Sequence, residues 1–413
     1  MIKVDKIVPG GQSIATDETG KKVFFWNALP GETVTDFKIT KNKSNFTEAI
    51  ATSIENPSKH RITPKDDCFL STSPWQIMDY DYELKTKQDL VVEFFRAHNI
   101  DIPTPPIFTD GKDYFYRNKM EYALYWGREQ NKILPSFHAR GSHSKFPINN
   151  SSIEKPELFK KATEIIADLN ARHEEARKYQ SLLLRCNQQG EVSGGLYENG
   201  KPHPVFANLK DTILSHEYSY SPNGFFQINL PVYEMALKEI QKHITTDEVL
   251  DLYAGVGTIG LSVAHDRKLT LVECDKSAFG EMTKNITIED IAERGSARIS
   301  AGHPWRRDDR TRVRNGNVLG ILAKSEDVLD YISPNVTAIL DPPRAGCDKK
   351  LIDRLLEVSP PTIIYLSCNP ATQARDVKLL QEKYQIVAIK SFNFFPRTPH
   401  IENLIILERT KNV

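Results

Sequence analysis

A single cysteine stands where a strand-like run meets a turn. In "YLSCNPATQARD" the apolar stretch "TIIYL" delivers Ser367 and Cys368 onto an Asn-Pro turn. An ionised thiol at such a tip is a nucleophile. A neutral one is a small hydrophobe closing a core, since free cysteine is among the most buried residue types. "DLYAGVGTIG" sets Gly255, Gly257 and Gly260 as G-x-G-x-x-G between a strand-like and a helix-like stretch, and Glu273 ends the next apolar run. That pattern fits an adenosine site, with the carboxylate on the ribose hydroxyls. It suits a dinucleotide, whose pyrophosphate would sit on the helix N-terminus, or S-adenosylmethionine, which has no phosphate. Asp251, in the approach to the loop, would repel pyrophosphate but can accompany a sulfonium; it can equally close the glycine turn. "DPPRAG", from Asp341, adds an acid and two prolines at a rim where a planar base can stack.

The elements that must position these residues begin near residue 219. "EVLDLYAGVG", "KLTLVECD", "VTAILDPPRAG" and "TIIYLSCNP" are apolar runs ending in polar or glycine residues, with helical stretches such as "LIDRLLEV" and "ATQARDVKLLQEKY" between or after them. The pattern predicts a doubly wound parallel α/β sheet over 219–413, and such sheets bind ligands at their strand tips. "NFFPRTPHIENLIILER" reads as a loop and a final strand. Residues 1–60 alternate apolar positions between Gly-Gly, Pro-Gly and Asn-Pro turns, which predicts a small β-barrel. Its rim offers Lys41, Lys43, Lys59, His60 and Arg61, either a solvated edge or a nucleic-acid contact. Residues 61–218 predict a mixed α+β domain. "YDYELKTKQDLVVEFFRAHN" has helical spacing, "ELFKKATEIIADLNARHEEARKY" is a helix with a charged outer face, and "DYFYRNKMEYALYW" alternates as a strand. In that strand Phe115, Arg117, Lys119 and Glu121 point one way and Tyr116, Asn118, Met120 and Tyr122 the other.

Bulk properties exclude classes rather than choose one. At 413 residues more than one core is expected. No apolar run is long enough to span a bilayer, so no membrane partner is expected. The N-terminus lacks the apolar core of a signal peptide. Five scattered cysteines without a C-x-x-C pair fit reduced thiols and a cytoplasmic protein. Lysine plus arginine equals aspartate plus glutamate, 54 each, so net charge neither requires nor forbids a polyanionic partner.

Taken together, "SPNGFFQIN", "DLYAGVGTIG", "LVECD", "DPPRAG", "YLSCNPAT" and "FPRTPHIENLIILER" resemble the RNA 5-methyluridine (uracil-C5) methyltransferase family in order and spacing. Upstream, "LPGETV" and its surroundings resemble the TRAM domain, an RNA-binding barrel, and "YRNKMEYAL" a strand of the family's central domain. The resemblance implies a Rossmann-like class I methyltransferase domain behind a barrel (1–60) and a central RNA-binding domain (61–218). It implies that Gln227, Tyr253, Glu273 and Asp341 contact S-adenosylmethionine, with Thr258 and the loop glycines shaping the same pocket. Cys368 falls on the family's nucleophile and Glu402 on its general base. RNA is the implied partner, 23S rRNA ahead of tRNA, and a monomer is expected. Many relatives hold an iron–sulfur cluster through four cysteines. Here "DDCFLSTSPWQIMDYDYE" keeps only Cys68, so neither cluster nor other metal is expected. The segment from Arg294 to Arg314, with seven arginines, departs from the family pattern and is either a solvated insertion or a set of phosphate contacts.

The chemistry so implied makes definite demands. Carbon-5 of uracil is a poor nucleophile, so a thiolate must first add to carbon-6, and a base must later take the carbon-5 proton. Arg344 and Arg375 are candidates to lower the thiol's pKa or hold the enolate oxygen. His400 is a loop residue or a proton relay, and Phe394, Phe395 and Pro396 pack beside the target base or plug the core. Rival readings are a nicotinamide-dependent oxidoreductase, which leaves "SCNP" and "DPPRAG" unexplained, a non-catalytic RNA-binding protein, and cytosine methylation by the same thiolate logic.

Overall fold

The computed structural model describes residues 1–293 and 311–410. The backbone groups into two compact units, each drawn from separate stretches of chain. One comprises Met1–Leu90, Gly111–Ala207 and Phe395–His400; the other comprises Val91–Asp110, Asn208–Phe394 and Ile401–Val413. Of the seven arginines from Arg294 to Arg314, Arg312 and Arg314 lie within the described residues.

The first unit opens with a closed barrel of β1 (Ile2–Ile7), β2 (Ser13–Thr16), β3 (Lys22–Trp26), β4 (Thr33–Asn42) and β5 (Phe46–Glu55). Alternate residues point inward, so Val4, Val23, Phe25, Val34, Ala49 and Ala51 fill it. Three of the five expected rim cations are tied down inside this unit. Arg61 is held by the buried Glu32 through Nε at 2.6 Å and Nη2 at 2.7 Å. Lys41 pairs with Glu48, and His60 bonds Asp79 while stacking on Tyr82. Lys43 and Lys59 are exposed.

After α1 (Phe69–Thr72) and α2 (Tyr80–Arg96), a sheet forms from β7 (Lys119–Gly127), β8 (Lys132–His138), β9 (Lys145–Pro147), β10 (Ser181–Cys186), β11 (Val192–Glu198) and β12 (Lys201–His203). Helix α3 (Pro156–Ala171) covers it, burying Leu158, Ala162, Ile166 and Leu169 against Tyr122, Leu182 and Leu184. The expected alternation from Phe115 to Tyr122 is present in the burial pattern, although ladder pairing starts only at Lys119. Before it, Arg117 makes a single parallel bridge to Glu154.

The second unit contains a nine-stranded sheet. Its strands are β6 (Ile107–Phe108), β15 (Glu248–Leu252), β16 (Lys268–Glu273), β17 (Arg312–Asn315), β18 (Val318–Leu322), β19 (Val336–Leu340), β20 (Thr362–Ser367), β21 (Tyr384–Phe392) and β22 (Glu402–Arg409). The spatial order is β17-β18-β16-β15-β19-β20-β22-β21-β6. A hairpin of β13 (Leu209–Ile213) and β14 (His216–Tyr220) precedes it, and helices α4 (Leu230–Gln241), α5 (Thr258–Ala264), α6 (Lys276–Glu293), α7 (Lys349–Val358) and α8 (Pro370–Leu380) connect it. Every residue of β19 and β20 is buried, as apolar central strands with both faces covered must be. The sheet is mixed rather than wholly parallel: β22 inserts antiparallel between β20 and β21, and β17 runs antiparallel to β18. Among the described residues no helix is long and apolar enough to cross a membrane.

Candidate active site

The inserted strand is what brings the two proposed catalytic residues together. In β20 and β22, Ser367 pairs with Asn403. The next residue of one strand, Cys368, and the preceding residue of the other, Glu402, therefore emerge at the same end of the sheet. Asp341 follows β19, the neighbour of β20 on its other side. Side chains lock this register: Gln373 donates to the carbonyls of Tyr365 (2.9 Å) and Asn403 (3.0 Å), and Asn403 donates back to its Oε1 at 2.7 Å. Ser391 on β21 donates to Asn403 Oδ1 at 2.9 Å.

Beyond Cys368, Asn369 caps α8, and its Nδ2 reaches the Arg344 carbonyl at 2.8 Å. Thr372 Oγ1 donates to the same carbonyl at 3.1 Å, so the "DPPRAG" loop is clamped to the turn carrying the thiol. Cys368 is half-buried, and its pKa is pushed up to about 11. Burial is the main cause; Glu402 and Asp341 push the same way, and Arg344 opposes them. Arg375, the other candidate cation, is committed elsewhere: it pairs with Asp376 at 2.7 Å and donates to the Ala345 carbonyl. Glu402 is buried, and its pKa is raised well above the usual carboxylate range by burial and by Asp341, against the pull of Arg344.

The glycine loop adds to this acid-rich end. Gly257 takes φ 87° at the cap of α5. At Gly260 a Cβ would lie 2.5 Å from Leu271 and 2.9 Å from the Asp251 carboxylate, so only glycine lets the helix pack this closely on β15 and β16. Asp251 Oδ2 accepts the Gly260 N–H at 2.8 Å, which makes it the closure of the glycine turn. Its Oδ1 is buried without a hydrogen-bond partner among the described residues. Burial, with help from Asp341 and Glu273, raises Asp251 to about 8 despite the Gly260 N–H. Asp341 is raised by burial to about 7. Glu273 accepts the Gly255 N–H at 2.9 Å and the Asp275 N–H at 2.6 Å. Tyr253 occupies φ 65°, and Thr258 and Gln227 are both buried. An orphaned carboxylate oxygen beside further raised acids is a donor set suited to a cationic adenosine ligand.

Some expectations resolve differently. Phe394 is wholly buried, edge-on to Tyr233 at 5.8 Å, and so plugs the core. His400 is exposed with its ring edge-on to Phe395 at 5.8 Å, both within the first unit. The sequence reading missed Phe225, which is 73% exposed two residues before Gln227; an aromatic pair after Asn-Gly was the available signal. It also missed a buried ion cluster around the strap 395–400. Arg397 donates its backbone N–H to both Glu83 oxygens at 3.0 Å and its guanidinium to Asp113 and the Met78 carbonyl. Lys87, fully buried, pairs with Glu83 at 2.9 Å and donates to the Phe395 carbonyl at 3.0 Å. Among the described residues no group of three or more His, Cys, Asp or Glu side chains is arranged to hold a metal ion, and Cys68 lies buried in the central sheet's core.

Comparison with known proteins adds the following. Residues 208–410 match the family model described as tRNA (Uracil-5-)-methyltransferase. An "Uncharacterized RNA methyltransferase" of Lactiplantibacillus plantarum is 27% identical, with 94% of this chain and 92% of that protein aligned. A Staphylococcus aureus protein of the same description is 28% identical, with 93% and 92% aligned. The crystal structure of Pyrococcus abyssi tRNA (uracil-54, C5)-methyltransferase in complex with S-adenosyl-L-homocysteine shares the fold, with a TM-score of 0.73 at 20% identity. That match spans 98% of this chain and 100% of that one.

Proposed function

We propose that this chain, an RNA methyltransferase of the uracil-5 class by the pattern its residues 208–410 carry, methylates carbon-5 of a uridine through a covalent bond to Cys368. The observation that supports this most is the pairing of Ser367 with Asn403, which sets a thiol and a buried carboxyl at one strand end beside Asp341. In the proposed mechanism the Cys368 sulfur adds to carbon-6 of an unstacked uracil, and its electron pair makes carbon-5 nucleophilic. S-adenosylmethionine, when bound, supplies the electrophilic methyl and a positive charge beside the acids of the pocket. Glu402 then takes the carbon-5 proton, and the sulfur leaves with its bonding electrons as the 5,6 double bond reforms. Arg344 opposes the charge of Glu402 and Asp341 and so favours the thiolate. Gln227, Tyr253, Thr258, Glu273 and Asp341 are the proposed cofactor contacts, with Asp251 Oδ1 an additional acceptor.

For the substrate, the proposal is 23S rRNA first and tRNA second, with the chain acting as a monomer. The barrel that motivates the first choice does not separate the two, because the fold shared with a tRNA enzyme spans 98% of this chain. Mapping 5-methyluridine in rRNA and tRNA of a deletion strain decides between them. Cys368→Ala should abolish transfer. Glu402→Gln should accumulate a protein–RNA adduct on denaturing gels, absent from the double variant. Near-normal turnover by Cys368→Ala overturns the mechanism.

A further inference from the structure

The turn that carries Arg344 is fixed by a neighbouring helix. Gly346 N–H donates to the Pro343 carbonyl at 2.8 Å, which closes the turn and leaves Arg344 and Ala345 at its tip. Both tip carbonyls are taken by side chains of α8 and its cap. The Arg344 carbonyl accepts from Asn369 and Thr372, and the Ala345 carbonyl from Arg375 Nη2 at 3.0 Å. The exit of the turn is held as well, because Cys347 N–H donates to Asp376 Oδ2 at 2.9 Å.

Asp376 is the centre of this arrangement and is 1% exposed. Its Oδ1 accepts from Arg375 Nε at 2.9 Å and from Nη2 at 2.7 Å, which aims the same Nη2 at Ala345. Its Oδ2 accepts the Tyr365 hydroxyl at 2.8 Å besides the Cys347 N–H. Tyr365 lies in β20, three residues before Cys368. One buried carboxylate therefore ties the Arg344 turn to the strand that ends at the thiol. Gly346 leaves room for it: at φ 81°, a Cβ there would lie 2.6 Å from both Arg375 Nη2 and Asp376 Oδ2. An apolar side chain would fill such a site with less to desolvate. What the carboxylate adds is direction, since its two oxygens fix a guanidinium, an amide and a hydroxyl together. Asp341 is placed differently: it directly follows β19, and its N–H reaches the Leu252 carbonyl on β15 at 3.5 Å.

We infer that Asp376 is a positioning residue for the methylation chemistry, setting the Arg344 turn against the Cys368 strand end through Arg375, Cys347 and Tyr365. This deepens the reading above and rests on it for the role of Cys368. The thiol is faced by Glu402 from β22, by Asp341 from the end of β19 and by Arg344 from the turn. Of these three, Arg344 alone favours the thiolate, so loosening the turn weakens the charge that opposes the two acids.

The test is the pH profile of iodoacetamide reaction at Cys368, read on its peptide by mass spectrometry, in full-length wild type, Asp376→Asn and Arg375→Gln. Asparagine keeps the shape but turns one acceptor oxygen into a donor facing donors. A profile displaced upward by about one unit lowers the thiolate fraction about tenfold and raises intrinsic reactivity about threefold, so the rate at pH 8 should fall about threefold. Calorimetric affinity for S-adenosylhomocysteine should stay unchanged, because Asp341 is placed by the sheet; general damage to the fold would lower both. In an Arg344→Gln background neither substitution should slow the reaction further. The Arg375 side chain is 48% exposed, so Arg375→Gln loosens the Ala345 clamp without opening the core and decides the matter even where Asp376→Asn does not fold. Slowing that persists undiminished in the Arg344→Gln background overturns the inference. An unchanged profile in the folded variants, beside normal methylation by wild type, overturns it and leaves the catalytic reading intact. A displaced profile in a protein whose wild type methylates no RNA upholds the placement and overturns that reading instead.

Discussion

Replacing Glu402 by glutamine should make Cys368 more reactive toward an alkylating agent, even as it stops turnover. The thiol stands at about 11, with burial the leading cause and Glu402 the next. At pH 8 only about one molecule in 10³ then carries the thiolate, since each pKa unit is a factor of ten. Glu402 is itself raised well above the carboxylate range and acts as a like charge only so far as it is ionised, a contribution of about one unit. Removing it would raise the thiolate fraction about tenfold. The less basic thiolate is intrinsically slower by about threefold per unit, because nucleophilicity falls with pKa. The net gain in iodoacetamide rate at pH 8 is therefore about threefold. Arg344→Gln removes the opposing cation and should slow the reaction. The rate must be read on the Cys368 peptide by mass spectrometry, because Cys274 is also exposed, whereas Cys68 and Cys347 are buried. A rate profile titrating near the ordinary 8.5 in wild type, or a rate indifferent to Glu402→Gln, would falsify the argued electrostatics.

S-adenosylmethionine affinity should rise between pH 6 and pH 8, by about tenfold for a single required carboxylate of pKa 7. Asp341 and Asp251, at about 7 and about 8, titrate across that window and are the acids proposed to meet the sulfonium; calorimetry with S-adenosylhomocysteine, which lacks the sulfonium charge, should show a smaller rise. The same raised acids stabilise the cofactor-free fold fully below about pH 4, the unfolded carboxylate range, and that contribution is lost as pH passes 8. Urea midpoints rising across this window would contradict it. Glu83→Gln removes the carboxylate that Lys87 and Arg397 share, at a cost of about 3–5 kcal/mol. Urea unfolding should show that loss, and an unchanged midpoint would mean that the cluster is not a buried ion network.

The placement of Cys368 at a strand tip was legible because β20 is an unbroken apolar run ending in polar residues, a local signal, whereas its proposed role came from the family resemblance. What brings Glu402 to it was not, because β22 pairs with β20 and β21 through contacts distant in sequence. Antiparallel insertion leaves no mark on a strand buried on both faces. The sequence showed four parallel tips and a final strand but not their mixed order. Glu83 and Lys87 did carry a trace, being charges at helical spacing on the face that ends in Leu90 and Val91. Their partners, Arg397 and Asp113, lie far along the chain, and nothing local joins them. Arg61 read as a surface cation because its partner Glu32 lies across the barrel.

The strap 395–400 has a consequence for biosynthesis. The chain passes from one unit to the other five times, at 90/91, 110/111, 207/208, 394/395 and 400/401. Although most of the first unit precedes residue 208, the Arg397 that closes its Glu83, Lys87 and Asp113 cluster comes only in the strap 395–400. Until then the cluster lacks the Arg397 guanidinium and backbone N–H that Glu83 accepts in the finished fold. The amino-terminal part of a nascent chain thus waits for a cation made after the whole stretch Asn208–Phe394. A truncated chain ending before Arg397 lacks Glu402 as well, so a product that fails to complete its first unit also fails to carry the proposed general base.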